Sequence, residues 1–385
     1  MAEGGLAITE WGRLESAIIS GLRHLRDRYL QRSRVWGEQN RDVTERELSS
    51  DSSDLNLTSL CGLPTDMQLY IISFLSPQDV CQLGMTNHYW HLMVQDRLLW
   101  RYFLLRDLPT WSSIEWQNVP DLDVLTSCFS ESPDKKPYDY MSIYLKNCPK
   151  NRRSLRSKHP IYGAVTSFLQ SLVIHTEPRF AMFGPGLEQL DDSLVTRMMT
   201  SPDLIPVVSI VQRQIDGIGS GVTFQLDSQH KFNILTLYST TRTQRKQARI
   251  EQTATVNKMF MGNNPGENEA LVFTLIPQVK EVCKVVDGFI YVANAESWKR
   301  HNREEEVAQI SAMTDPSLGS KRRPMLVLSC VTHPGNKRIP SVYMAHELCL
   351  NRLNRPWLVQ NTEASTLSGL HEGIVWIFSE VGRKM

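Results

Sequence analysis

A chain of 385 residues with a formal net charge of +1 has room for two or three domains, and this balance argues against a dedicated nucleic-acid binder or a polybasic membrane protein. No apolar run approaches the ~18 residues a bilayer span requires, and no signal-peptide core opens the chain, so it is expected in the cytoplasm, with the nucleus also open to it. The cysteines Cys61, Cys81, Cys128, Cys148, Cys283, Cys330 and Cys349 form no Cys-x-x-Cys pair and read as reduced thiols, not disulfide partners or metal ligands.

In residues 1–36, Trp11, Leu14, Ile18, Leu22, Leu25 and Tyr29 recur three or four positions apart. They form one stripe of an amphipathic helix, with Arg13, Arg23, Arg26 and Arg28 on its other side. Three uses fit the stripe: packing onto its own protein, a helix–helix dimer contact, or a membrane surface. The last lacks a second anchoring signal. Residues 37–60 are polar and rich in Ser and Asp, the composition of a flexible linker.

Residues 61–106 predict three helices. Pro64 stands at a first helical position, where its missing N–H costs nothing. Met67, Tyr70, Ile71 and Phe74 then follow at helical spacing, while Leu69, Ile72 and Leu75 line a second flank. Ser76 is placed as an N-cap with Asp79 in the first turn of a second helix holding Val80 and Leu83. After Gly84, Thr86 and Asn87, a third helix carries Tyr89, Trp90, Leu92, Met93, Val94, Leu99 and Trp100. Three helices in about forty residues bury too little of this apolar surface among themselves, so the unit must dock, on another protein or on the rest of this chain.

The run Leu63-Pro64, Ser73-Phe74-Leu75-Ser76-Pro77, Asp79, Leu83, Asn87, Trp90, Asp96 and Leu99-Trp100-Arg101 resembles the F-box. F-box modules bind the Skp adaptor of ubiquitin ligases and, through it, cullin and RING subunits. Carried over by position, the resemblance implies adaptor contacts from Leu63, Pro64, Leu69, Ile72, Leu75, Val80 and Leu83, with Trp90 and Trp100 steadying the module. Several F-box proteins self-associate through a segment just ahead of the box, where Trp11, Leu14, Ile18, Leu22 and Leu25 stand, so a homodimer is an implied partner.

Residues 107–160 read as a connector. Trp111 and Trp116 lie in an irregular stretch expected to pack on the third helix, and residues 138–145 form one more helix. The run Lys146, Lys150, Arg152, Arg153, Arg156 and Lys158 has no interleaved aromatic residue and reads as a solvated linker more than a nucleic-acid contact.

From residue 161 to 385, strands are expected over 179–183, 222–226, 232–239, 285–293, 325–331 and 357–360. Helices are expected over 161–174, 187–200, 243–260, 303–313, 342–353 and 364–381. Continuous apolar runs such as Phe289-Ile290-Tyr291-Val292 suit strands covered on both faces. Their alternation with helices predicts a doubly wound, mostly parallel sheet. Only the strands at 222–226 and 232–239 lie close enough for an antiparallel hairpin.

Residues 286–294 (Val-Asp-Gly-Phe-Ile-Tyr-Val-Ala-Asn) resemble the fourth strand of small GTPases, and 356–364 with 369–377 resemble the last strand and helix of their Arf-type branch. The chemistry of those enzymes needs residues that this chain lacks. Counting the phosphate-loop pattern from Gly184, its second glycine becomes Gln189, its lysine Leu190 and its hydroxyl Asp191. Ser329-Cys330-Val331-Thr332-His333 stands where the guanine-reading Asn-Lys-x-Asp belongs, and Asp216-Gly217-Ile218-Gly219 fits Asp-x-x-Gly only as a short match. His346-Glu347 and His371-Glu372 open like His-Glu-x-x-His but end in Leu350 and Val375, so no metal pair forms, and no Gly-x-Ser-x-Gly elbow is present.

The expected architecture is therefore a three-helix F-box followed by an α/β domain resembling a small GTPase, kept as a binding platform without cofactor, metal or catalysis. The implied function is substrate receptor of an F-box ubiquitin ligase, with telomeric repeat-binding factor and D-type cyclins as protein substrates by resemblance. Two substrate sites are weighed. One is the helix bearing Ser341, Tyr343, Met344 and Ala345, whose small i,i+4 pair admits a close partner backbone. The other is the strand bearing Val222 and Phe224, expected at the sheet edge and open to a partner strand.

Overall fold

The computed structural model describes residues 60, 63–117, 119–126, 138–152, 177–190, 193–215, 219–226, 230–238, 258–262 and 272–382. The stripe from Trp11 to Leu25, the expected helix at 161–174 and nearly all of that at 243–260 lie outside them. The chain divides into two compact units: Met1–Leu108 with Pro120–Lys146, and Pro109–Val119 with Asn147–Met385.

The first unit opens with α1 (Thr65–Ile72), α2 (Pro77–Gly84), α3 (His88–Met93) and α4 (Arg97–Asp107). Each start after the first is fixed by a side chain that accepts backbone N–H groups: Ser76 from Asp79, Asn87 from Trp90, and Asp96 from Leu98 and Leu99. The Asp96 cap explains why the expected third helix is two, since α3 stops at Met93 and a new helix starts at Arg97. Leu69, Ile72, Val80, Trp90, Leu99, Trp100 and Phe103 are buried, and the Trp100 indole N–H donates to the Val94 carbonyl at 2.6 Å. A Cβ on Gly84 would stand 2.6 Å from Val94 Cγ2, so glycine lets α2 close onto that bend. Arg106 donates to the Ser73 carbonyl at 3.2 Å and lies 4.7 Å over the Phe103 ring, tying α4 back to the end of α1. Two short helices follow, α5 (Leu122–Thr126) and α6 (Tyr140–Asn147).

The second unit is built on β1 (Ser113–Glu115), β2 (Arg179–Phe183), β3 (Val207–Ile215), β4 (Gly219–Leu226), β5 (His230–Leu237), β8 (Gly288–Asn294), β9 (Met325–Val331) and β10 (Trp357–Glu363). A separate pair, β6 (Phe260–Gly262) and β7 (Phe273–Leu275), forms a two-stranded sheet. The eight strands run in the order β1-β10-β9-β8-β2-β5-β4-β3. The middle five are parallel; β4 pairs antiparallel with β5, β3 with β4, and β1 with β10. Every residue of β8 and β9 is buried, which explains their unbroken apolar sequences. The helices are α7 (Gly186–Gln189), α8 (Leu194–Thr200), α9 (Pro277–Val285), α10 (Arg303–Met313), α11 (Ser341–Glu347) and α12 (Leu370–Gly382). Ile374 and Ile377 of α12 join Leu326, Leu328, Phe180 and Phe232 in one apolar cluster. Within the eight-stranded sheet, leaving aside β1 and β3, the strand from Gly288 comes fourth in chain order and the strand from Trp357 last, the places the GTPase resemblance gave them.

Several expectations need correction. The strand holding Val222 and Phe224 is not an edge: β3, unforeseen, pairs along it, so β4 is interior. The supposed irregular connector supplies an edge strand, where Ser113, Ile114 and Glu115 pair with Gln360, Val359 and Leu358. Helix 187–200 is two pieces, and 342–353 breaks at Cys349, which adopts a left-handed backbone (φ 50°). Helix 364–381 starts only at Leu370, after a turn with positive φ at Leu367 and Gly369. Phe260 belongs to a strand, and residues from Pro277 to Val285 form a helix where none was expected.

Candidate functional site

In the first unit, α1 to α3 leave a run of large apolar side chains in solvent. Phe74 is 69 % exposed, Met85 79 % and Leu92 58 %, and Tyr70, Ile71, Leu75 and Tyr89 are exposed too. Phe74 meets Tyr70 edge to face with ring centroids 5.0 Å apart. Gln68 fixes the frame behind them: its amide donates to the Leu63 carbonyl at 2.7 Å and its oxygen accepts the Tyr89 hydroxyl at 2.6 Å. Each such side chain, once covered, contributes about 1.5–3 kcal/mol, so this face is built for association.

The seven residues assigned to adaptor contact divide. Pro64 and Leu75 are exposed, Leu63 and Leu83 half-buried. Leu69, Ile72 and Val80 are buried in the module's own core, so the flank expected to face a partner faces inward at those positions. The outward flank is the other one, Tyr70, Ile71 and Phe74, whose helical spacing was visible in the sequence. Met85 carried no periodic signal, and Leu92 was visible only as one apolar residue of the expected third helix; their exposure is a finding of the structure. Trp90 and Trp100 are buried, in the supporting place expected of them.

In the second unit, the crevice beyond the carboxyl ends of parallel strands is where doubly wound sheets bind ligands. Here the chain fills it with itself. After β2, Gly184 takes φ +123°, and a Cβ there would stand 2.6 Å from the Val292 carbonyl; one on Gly186 would stand 2.7 Å from Val292 Cγ1. These glycines serve close packing of the turn on β8. Leu190, at the position of the phosphate lysine, is fully buried. Gln189 accepts from Asn294 Nδ2 at 3.2 Å and, through its carbonyl, from Lys299 Nζ at 2.8 Å. Lys299 also pairs at 2.8 Å with Glu296, which is buried and accepts from the Thr332 N–H and Asn336 Nδ2, both at 3.1 Å. Burial raises the Glu296 carboxyl, but hydrogen bonds from Lys299 and Thr332 outweigh it and hold the group below the usual carboxylate range. Beside it, burial and then Arg303 push His301 down to about 4.

The proposed substrate residues are all inside. Ser341 Oγ donates to the Trp111 carbonyl at 2.9 Å, and Tyr343, Met344 and Ala345 are buried on the same short helix, so the small i,i+4 pair admits the chain's own segment 109–119. Val222 and Phe224 are buried core residues. The open backbone edge is β3, where Val208 and Ile210 alternate as exposed apolar side chains and, among the described residues, one neighbour strand is present, β4. No group of three metal-ligating side chains occurs among the described residues.

The F-box-like family model matches residues 60–106. Along nearly the whole chain, the sequence is 55% identical over 377 residues to F-box only protein 4 of Homo sapiens, covering 98% of this chain and 95% of that one. The protein of the same name from Mus musculus is 53% identical over the same span. Among solved structures, the Arl6 BBS3 small GTPase from Trypanosoma brucei with a bound nucleotide analogue aligns over 55% of this chain and all of its own, at TM-score 0.32 and 12% identity. That last likeness is too slight to bear on ligand or activity, and the strand order stands without it. The helices of residues 60–106 and the full-length identity together place this chain in the F-box only protein 4 family.

Proposed function

We propose that the chain is the substrate-recognition subunit of a Skp-cullin-F-box ubiquitin ligase, docking the Skp adaptor and, through it, cullin and RING. The observation that carries this reading is the exposed apolar face of Tyr70, Ile71, Phe74, Leu75, Met85 and Leu92 within an F-box-like match. The protein forms no bond itself. It holds a substrate lysine near the charged conjugating enzyme, which turns a bimolecular encounter into an effectively intramolecular one. The α/β unit is the platform that grips the substrate, and the filled crevice around Leu190, Gln189 and Lys299 supports a role without nucleotide turnover. The open edge of β3 suits an extended substrate segment added as a further strand, with Val208 and Ile210 reading its side chains. Telomeric repeat-binding factor and D-type cyclins are the substrates that the family resemblance suggests, a homodimer through Trp11 to Leu25 the assembly, and the cytoplasm, with the nucleus, the compartment.

Co-purification from cells tests the ligase reading. Cullin should accompany the wild-type chain and be lost from Phe74→Glu; retention of cullin by that variant, or its absence from both, contradicts the proposal. The competing reading, a GTP-binding switch, rests on the sheet order. Guanine nucleotide recovered from the purified protein would favour it, and recovery of none would favour the platform.

A further inference from the structure

Ser76 stands at the margin of the exposed apolar face, directly after Phe74 and Leu75 and directly before Pro77. It is itself exposed, and its backbone is extended, with φ −71° and ψ 148°. Its hydroxyl donates to Asp79 Oδ2 at 2.6 Å and accepts the Asp79 N–H at 3.1 Å. Proline-directed kinases take an exposed serine followed by proline; Ser76 is exposed with its own backbone extended, and Pro77 follows it as the first residue of α2. The two exposed hydrophobic residues before it add the consequence: whatever charge Ser76 gains appears beside side chains that must lose water to dock.

We propose that Ser76 is a phosphorylation site for a proline-directed kinase and that its modification turns off adaptor docking; the second half rests on the adaptor reading above. In the step, Ser76 Oγ attacks the γ-phosphorus of ATP. The Oγ–P bond forms as the bond from that phosphorus to the β,γ-bridging oxygen breaks, ADP leaves, and the hydroxyl proton passes to the kinase's carboxylate base. The product carries about −1.5 to −2 charge at neutral pH. The first-turn N–H groups of α2, Asp79 among them, donate to the phosphate oxygens, so the helix start is kept. Asp79's carboxylate, now repelled, turns outward and adds to the negative field. A hydrated dianion then borders Phe74 and Leu75, and the apolar face no longer sheds its water at low cost.

The test uses the purified full chain, ATP, a mitogen-activated protein kinase, and the purified Skp adaptor. Phosphosite mapping by mass spectrometry should find phosphate on Ser76, and adaptor affinity should fall by roughly tenfold or more after treatment. Ser76→Asn retains an N-cap of equal rank and has no hydroxyl; treated with the same kinase, it should bind the adaptor as tightly as before. Absence of phosphate at Ser76 overturns the site, and unchanged affinity of the phosphorylated chain overturns the switch. If the untreated chain does not bind the adaptor at all, the ligase reading is what fails, and the mapping still decides the site.

Discussion

Buried and exposed aromatic residues of the helical unit do opposite work, and single substitutions separate them. Trp100 is fully buried, with its indole N–H bonded to the Val94 carbonyl, so Trp100→Ala leaves both a cavity and an orphaned acceptor. It should destabilise the protein by about 3–5 kcal/mol, read as a fall in the denaturant midpoint. Phe74→Glu, at a side chain already in solvent, should leave that midpoint within about 0.5 kcal/mol of wild type. His301 tests a second residue-scale claim. Its folded value near 4 lies below the ordinary 6.5, so between those limits the unfolded chain binds the extra proton and stability falls as pH falls. From pH 7 to pH 5 the loss through this group should be about 2 kcal/mol. His301→Gln should flatten that part of the stability–pH curve; an unchanged slope would show that the imidazole is not held neutral.

Among the elements, the edge strand makes the sharpest claim. Val208→Lys and Ile210→Lys place charge on a strand edge without touching the core, so the thermal midpoint should hold while capture of a substrate segment falls by tenfold or more. Full capture by both variants would remove β3 from the substrate site. Much of this layer was legible in advance. The apolar runs of β2 and β9 and the span of α10 appear where the sequence puts them, because burial on both faces of a strand is a local signal; the Asn302 cap on α10 emerges only in the structure. The strand from Val207 to Ile215 was not read, because Val207, Val208, Ile210 and Val211 around Ser209 give no clean alternation, and missing it moved the sheet edge one strand inward. Segment Ser113–Glu115 could not be read as a strand at all: three residues carry no period, and their pairing with Leu358 to Gln360 is set by tertiary contact far along the chain. The helix flanks of residues 63–92 show a subtler limit. Their spacing revealed two apolar faces on α1, but nothing local says which one turns inward, and the choice fell on the buried one.

For the molecule as a whole, the chemistry of the two units divides cleanly. One presents an apolar face. The other keeps a doubly wound sheet but fills its ligand crevice with Gln189, Asn294, Glu296 and Lys299. The proposed receptor role asks for one surface toward the ligase and another toward the substrate, and fold alone does not decide it. The missing phosphate lysine was plain from Leu190 alone, whereas the closing of the crevice depends on Lys299, more than a hundred positions away, and emerges only in three dimensions. The central claim is that the exposed apolar face binds a Skp adaptor, and calorimetric titration of the full chain with purified adaptor tests it most directly. Saturable one-to-one binding for wild type, with at least a hundredfold loss in the Phe74→Glu, Leu92→Glu double variant at unchanged fold, is the predicted result (about 2.7 kcal/mol). Equal affinity of the two proteins, or no heat of binding from the folded wild-type chain, would contradict it.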